Sequence, residues 1–231
     1  MMLSSEITYL ENIREPKQID VIPVSDLVDQ VKKGHPKVTE YRTLLDELNK
    51  INENNEPLDF EKHKTKTDRF KKTLPAYAVA GLFGNGVTNQ QFKSSSGLFL
   101  VDIDKLIDSE EVNKIKQTLA GIPSVAFTFI SPGALGLKAA FRICPTFIRN
   151  DKNFYTAFKV IEAWLTDEFT IGIDASCTDV RRLCYVSHDP DIYVNEQAER
   201  MDFMGLKERY RTAAKLGSIP SPKTRNTELF E

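Results

Sequence analysis

Two aspartates, Asp102 and Asp104, follow the apolar run GLFLV in this chain of 231 residues. Residues two apart on a strand point to the same face of a sheet, so both carboxylates would aim at one spot. Two unpaired carboxylates that lie close together repel each other, and a divalent cation relieves that repulsion. Mg²⁺ and Mn²⁺ favour oxygen ligands of this kind. The pair therefore indicates a metal site, the alternative being a strand end capped by two solvated aspartates.

The segment SPGALGLK, residues 131 to 138, predicts a hairpin that faces an anion. Its glycines, Gly133 and Gly136, favour a turn whose backbone N–H groups are free to face a negative charge. Ser131 begins the turn, and Lys138 stands at its exit, where an ammonium group could hold a phosphate. The pattern of a P-loop is absent, and an ordinary hairpin is the alternative interpretation.

The segment IDASCTDVRR, residues 173 to 182, brings a third group of charges. Asp174 could complete a metal site of three carboxylates, and Asp179 is its rival for that role. Arg181 or Arg182 could bind phosphate or pair with the carboxylates. An Asp–Arg ion pair that merely fixes a loop is equally compatible with this segment alone.

Residues 62 to 72, KHKTKTDRFKK, carry six basic residues and one aspartate, a local excess of five positive charges. Such a run is commonly a solvated helix face. Its functional interpretation is a patch that follows the phosphates of a nucleic acid. The basic residues are Lys62, Lys64, Lys66, Arg69, Lys71 and Lys72.

Apolar periodicity predicts how these groups are positioned. Residues 97 to 187 alternate in the order β-α-β-β-α-β, the split pattern of ferredoxin-like and RRM-like folds. With the usual strand order 4-1-3-2, the first strand is central and its carboxyl end lies beside the starts of strands three and four. Asp102 and Asp104 would then meet Lys138 and Arg182 at one edge of the sheet.

The remaining segments predict extensions of this α+β core. Residues 1–75 show helical spacing without strand signals and predict a helical extension of the same domain, and residues 76–83 predict a strand that leads into the core. The core itself is predicted over 76–195. Residues 196–216 predict a helix, and 217–231 a tail or linker.

Composition excludes several classes of protein. Thirty-one basic against 33 acidic residues leave a net charge of −2, so the chain cannot coat nucleic acid through its total charge. Three cysteines without a C-x-x-C pair favour a reduced protein. No run is long and apolar enough for a signal peptide or a membrane span, so we expect a cytoplasmic protein without a membrane partner.

Four segments in this order resemble the archaeo-eukaryotic primase, or primase-polymerase, superfamily. They are similar to the VirE amino-terminal-like branch found in bacterial mobile-element and phage-like replication proteins. The segments are KKTLPAYAVAGLFG, SGLFLVDID, SPGALGLKAAFRI and IDASCTDVRRLCYVSHDPDIYVN. Together they cover about residues 71 to 195.

The resemblance implies a nucleotidyl-transfer site with two metal ions, Mg²⁺ or Mn²⁺. Asp102, Asp104 and Asp174 would be its catalytic and metal-binding residues. Members of the superfamily commonly have a histidine where this chain has Lys138, and a lysine can bind phosphate as a point charge. The residues expected to bind the nucleotide triphosphate are Ser131, Gly133, Gly136, Lys138 and Arg182.

The function predicted on this basis is metal-dependent synthesis of primers or DNA on a single-stranded template in mobile-element or phage-like replication. The partners would be single-stranded DNA, nucleotide triphosphates and a helicase domain or protein. Lys138 and the basic segment support a different alternative, a catalytically inactive DNA-binding or adaptor module. Paired aspartates serve hydrolysis equally well, which makes a metal-dependent nuclease the third prediction.

Overall fold

A computed structural model describes residues 2–15, 19–53 and 57–218. These residues form an α+β fold, which confirms the predicted class. Their α-helices are α1 (Val24–Lys33), α2 (Pro36–Glu53), α3 (Pro57–Lys71), α4 (Ser109–Ala120), α5 (Asp151–Phe169), α6 (Phe203–Arg209) and α7 (Arg211–Ser218). Their strands are β1 (Glu6–Leu10), β2 (Asp20–Pro23), β3 (Ala76–Ala78), β4 (Gly81–Phe83), β5 (Phe92–Ser95), β6 (Leu98–Ile103), β7 (Val125–Ile130), β8 (Leu137–Arg142), β9 (Cys184–Tyr185) and β10 (Tyr193–Val194). Short 3₁₀ helices span Met2–Ser4, Asn89–Gln91 and Pro145–Phe147.

The strands form two four-stranded antiparallel sheets and one hairpin. The first sheet has the order β2-β1-β3-β9, and the second has the order β10-β7-β8-β6. The hairpin pairs β4 with β5. In the second sheet, β8 runs between β6 and β7, and Asp102 of β6 lies directly opposite Lys138 of β8.

The second sheet separates two apolar cores. On one face, Phe99, Val101 and Ile103 pack with the buried sides of α4 and α5. The other face, with Leu98 and Ala140, packs against α1, α2 and the first sheet. Side chains alternate along a strand, so Asp102 shares the face of Leu98, and its carboxylate lies between the two sheets.

The first three core strands have the predicted order, but the fourth does not. Residues 182–187 were expected beside the first strand, which would have made that strand central. Instead β9 pairs with β3 in the first sheet, and β6 lies at the edge of the second. At the carboxyl end of β6 the backbone N–H of Asp174 donates to the Asp102 carbonyl over 2.7 Å, so an irregular loop meets this edge where a fourth strand was expected.

The amino-terminal extension also departs from its predicted form. Residues 1–75 contain β1 and β2 besides three helices, and β1 joins the extension to the core because it pairs with β3. The run 76–83, predicted as one strand, divides into β3 and β4, which belong to different sheets. Local periodicity missed β1 and β2 because each is only four or five residues long.

The carboxyl-terminal segment contains two helices instead of one. α6 ends and α7 begins on either side of Tyr210, within the span 196–216 that was predicted as a single helix. α7 packs against α5. α7 extends to Ser218, two residues into the predicted tail of 217–231, and the rest of that tail lies outside the described residues. In the part of the chain that the structure describes, no helix is long and apolar enough to cross a membrane.

Candidate metal centre

The candidate site forms where β6 ends, β8 begins and the loop after α5 crosses both. Thr170 ends α5 in a left-handed conformation with φ of 57°, and its N–H and that of Ile171 close the helix on the carbonyls of Thr166 and Leu165. This Schellman-type end turns the chain back toward the sheet. The N–H of Asp174 then bonds the Asp102 carbonyl, which fixes the loop to the strand end.

Asp102 is the buried centre of the site. The residue is 8% exposed, and its Oδ2 forms an ion pair with the Lys138 ammonium group. Its other oxygen, Oδ1, is buried and accepts no hydrogen bond from any described residue. Burial raises the pKa of the Asp102 carboxyl, Lys138 opposes this rise, and the nearby Asp104 carboxylate adds to it. An orphaned acceptor of this kind is costly unless a cation or a proton meets it.

Asp174 lies in the same cluster but is held by more partners. Its carboxylate accepts hydrogen bonds from the backbone and hydroxyl groups of Ser176, at 2.9 and 2.7 Å, and from Arg182 at 3.3 Å. Burial alone would raise the pKa of Asp174, but the bonds from Ser176 and Cys177 and the charge of Arg182 together lower it below its usual value. Asp174 is therefore ionised at neutral pH.

Cys177 completes a group of three ligand atoms with these aspartates. Oxygens of Asp102 and Asp174 and the Cys177 sulfur lie within 4.8 Å of one another. Burial raises the pKa of the Cys177 thiol to about 12. As a neutral thiol it is a weak ligand for Mg²⁺ or Mn²⁺, so the carboxylates supply the charge. Sequence reasoning missed Cys177, and its spacing of three from Asp174 was the signal available.

Asp104 lies at the exposed mouth of the site, outside that group of three. It is close enough to Asp102 to raise the pKa of that carboxyl. Asp104 also contributes to the raised pKa of Tyr41, mainly caused by burial of that tyrosine in α2. Asp102 on β6 thus lies inside the site, and Asp104, one residue past the end of the strand, lies at its entrance.

Asp174 and Asp179, the two candidates for the third carboxylate ligand, have different partners. Asp179 pairs with Arg181 over 3.2 Å, whereas Asp174 pairs with Arg182. Lys138 is buried; burial alone would lower the pKa of its ammonium group, but Asp102, together with Cys184 and Asp104, raises it above its usual value. Counted by formal charge, the three carboxylates and two cations of this cluster sum to −1.

The space inside the cluster is small. Asp102, Lys138, Cys177 and Arg182 line a cavity of ≈ 10 Å³, with apolar walls that include Phe154. A cavity of about this size holds one water molecule or ion, whereas small-molecule pockets measure roughly 300 Å³ or more. The base and sugar of a nucleotide would therefore have to bind outside this cavity.

The glycine hairpin closes against the strand end. Ser131 bonds Gly136 through its N–H, and α2 holds the turn because Arg42 donates to the carbonyls of Pro132 and His188, at 3.1 and 2.9 Å. Arg42, which sequence reasoning missed, thereby ties the extension to the hairpin and to the segment after β9.

We expect Gly136→Ala to destabilise this hairpin. A β-carbon at Gly136 would lie 2.7 Å from the Ile103 carbonyl oxygen and 3.0 Å from Oδ1 of Asp104. Backbone must shift to accommodate it, at a cost of about 1–3 kcal/mol in the free energy of unfolding, measured in urea. Gly133→Ala is the matched control, because its nearest neighbour would be Cδ1 of Leu45 at 3.8 Å. Equal losses in both variants would contradict this account.

A larger cleft lies elsewhere, near the carboxyl end of α3. It measures ≈ 320 Å³ and is lined by Glu11, Asn12, Arg14, Glu15, Lys37 and Thr73. Its two basic side chains already donate to backbone carbonyls, Arg14 to Arg69 and Lys37 to Thr73. None of the predicted metal or nucleotide ligands lines this cleft.

Comparison with known families places the site in a defined domain. The family model described as BT4734-like, N-terminal domain, matches residues 69–194, more than half of the chain. The chain belongs to this family. The BT4734-like domain contains every residue of the candidate metal centre, whereas α1, α2 and Lys62, Lys64 and Lys66 of α3 precede it. No curated protein and no solved structure shows significant similarity to the chain.

Proposed function

We propose that this BT4734-like domain is a primase-polymerase-like nucleotidyltransferase of a mobile-element or phage-like replication system. The observation that carries the proposal is the convergence of Asp102, Asp104 and Asp174 with Lys138 and Arg182, around a buried carboxylate oxygen that lacks a hydrogen-bond donor. The resemblance to the archaeo-eukaryotic primase superfamily rests on the same segments.

The donor set fits a hard divalent cation. Oδ1 of Asp102 is unpartnered, Asp174 is ionised, and the cluster keeps a negative charge that a cation would balance. Asp102 and Asp174 would hold Mg²⁺ or Mn²⁺, with Asp104 at the mouth. When bound, the metal lowers the pKa of an attacking 3′-hydroxyl and stabilises the pyrophosphate that leaves.

The chain's own cations would serve the triphosphate. Lys138 pairs with Asp102, and Arg182 pairs with Asp174. Both groups stay positively charged, so they can bind and orient phosphate oxygens. Ser131, Gly133 and Gly136 would place the hairpin backbone beside them. Binding and orientation are the protein's contribution, since no residue here needs to react covalently.

The experiment is synthesis on a single-stranded DNA template with nucleotide triphosphates and Mn²⁺. Extension or primer formation supports the proposal, and cleavage of the template supports a nuclease instead. Binding of single-stranded DNA that needs no metal, with neither product, supports the adaptor alternative. That alternative has one observation in its favour, the buried Lys138 ion pair that already neutralises Asp102.

The basic helix would supply the template contact, and the structure divides its charges into two faces. Lys62, Lys66 and Arg69 form one exposed stripe along α3 at spacings of four and three. Lys64 and Lys71 lie seven apart on another face, and Lys72 follows the helix end. The Lys71 ammonium group lies 5.8 Å from the ring of Tyr185, two residues from Leu183 in the wall of the metal-site cavity.

We expect the face that adjoins the site to contact the template. Lys64→Gln with Lys71→Gln should weaken binding of single-stranded DNA and reduce its salt dependence by about 1.4 in the slope of log K against log salt, for two lost phosphate contacts. Lys62→Gln with Lys66→Gln removes the same charge from the other stripe and is the matched control. An unchanged slope in the first variant would show that this face is only solvated surface.

A further inference from the structure

The buried lysine of the candidate site competes with the metal that the proposed function requires. Asp102 has two oxygens, and the Lys138 ammonium group is paired with one of them inside the protein. The side chains of both residues are only 11% exposed, so water screens their interaction weakly. A divalent cation at Asp102 would lie close to this fixed positive charge.

We propose that Lys138 is an internal counter-ion that holds the metal site in a low-affinity state until an anionic ligand draws it away from Asp102. The proposal rests on the proposed function for the identity of the cation. It adds the order in which the site is filled, because a group that pairs with Lys138, such as a phosphate, frees the carboxylate.

The geometry explains why one lysine can have this effect. Lys138 is directly opposite Asp102 in the β6 and β8 ladder, so the backbone register fixes their approach. Both residues line a cavity with room for about one water molecule or ion, so a hydrated cation does not fit beside Asp102 while the lysine keeps this position. Coupling of this kind is reciprocal. A ligand that draws Lys138 away from Asp102 strengthens metal binding, and bound metal strengthens phosphate binding to Lys138.

A second buried pair in the same chain provides the control. Lys116 pairs with Asp189 over 2.6 Å, with side chains 11% and 2% exposed. Asp189 also accepts hydrogen bonds from the backbone of Ile130 and Asp191, and neither of its side-chain oxygens is left unpartnered. Replacing Lys116 therefore removes a comparable positive charge, but Asp189 has no unpartnered oxygen to offer a cation.

The test measures Mn²⁺ binding to the full chain without nucleotide, and the EPR signal of the free ion reports how much Mn²⁺ remains unbound. Lys138→Met should bind Mn²⁺ about tenfold or more tightly than the wild type, because a neighbouring unit charge is removed from a weakly screened site. Lys138→Gln, whose amide can still donate to Asp102, should also bind more tightly and guards against misfolding of the methionine variant. Lys116→Met should bind no more tightly than the wild type.

Thermal unfolding gives a second readout that does not need activity. Mn²⁺ should raise the melting temperature of Lys138→Met and of Lys138→Gln in a concentration-dependent way, and that of Lys116→Met no more than the wild type. Equal Mn²⁺ affinity in wild type and both Lys138 variants overturns the proposal. If that equal affinity is measurable, the metal site of the proposed function still stands; if no protein binds Mn²⁺, the metal is removed from that function as well.

Discussion

Asp102→Asn is expected to reduce template-dependent synthesis by about 10²-fold or more, because an amide cannot replace the charge that holds a divalent cation. Asp102 is the one member of the cluster that combines burial with an unpartnered oxygen. Product formation by wild type and variant, measured on the same single-stranded template with Mn²⁺, checks this expectation.

The same substitution also leaves Lys138 buried without a counter-charge, so loss of stability must be separated from loss of chemistry. Asp189→Asn is the matched control, since it removes another buried carboxylate from a lysine pair, outside the cluster. We expect this variant to lose stability but to retain synthesis at temperatures where it is folded. If Asp102→Asn and Asp189→Asn lose synthesis to a similar extent, the loss in Asp102→Asn is explained by reduced stability and not by a missing metal ligand.

Asp104→Asn also separates loss of stability from loss of chemistry, because it changes a carboxylate that is not buried. Asp104 is exposed at the mouth of the site, so its replacement should change the free energy of unfolding by less than about 0.5 kcal/mol. A fall in synthesis without a fall in stability would support a role in holding metal or substrate. Full synthesis by both Asp102→Asn and Asp104→Asn would contradict the proposal that this domain is a nucleotidyltransferase.

The site was more predictable from sequence than the sheets around it. Asp102 at the end of β6, Asp104 just after it and the hairpin that ends at Lys138 are local features of the sequence, and the structure places Asp102 directly opposite Lys138. The strand order of these elements follows from short connections, which leave few alternatives. The local sequence pattern was therefore sufficient to predict how the three strands β6, β7 and β8 are ordered.

The partner of β9 could not be obtained in that way. An apolar run such as RLCYVS predicts a strand but not which edge it joins, and its neighbour β3 lies more than 100 residues earlier. The loop from 171 to 182 meets the edge of β6, which only the Asp174 to Asp102 backbone bond reveals. The strand itself is present, but its predicted pairing was wrong because the deciding contact is long-range.

The role of Lys138 shows a similar limit for chemistry. Its sequence position indicates a phosphate ligand, whereas its structural partner is the very carboxylate expected to bind metal. Cross-strand register brings the two together, and register depends on the whole ladder, not on either residue. The candidate residues were therefore predictable, but the electrostatic state of the site was not.

Lys138→Met is expected to lower the free energy of unfolding by about 3–5 kcal/mol, because it leaves the Asp102 carboxylate buried without its partner. Domains of this class are stable by about 5–15 kcal/mol, so the variant should still fold at low temperature. Urea unfolding at neutral pH without metal measures the difference. Lys33→Met, which breaks the exposed pair with Asp29, should cost less than about 0.5 kcal/mol.

The double variant Asp102→Asn with Lys138→Met decides whether the loss comes from the unpaired charge. It removes both charges, so it should be more stable than Lys138→Met alone, with a coupling free energy of about 1–3 kcal/mol in the cycle of single and double variants. Additive losses would mean that the two side chains contribute independently through packing. A positive coupling would show that the pair helps to hold the edge strand β6 to β8. It would also mean that Asp102 needs another cation whenever Lys138 moves away from it.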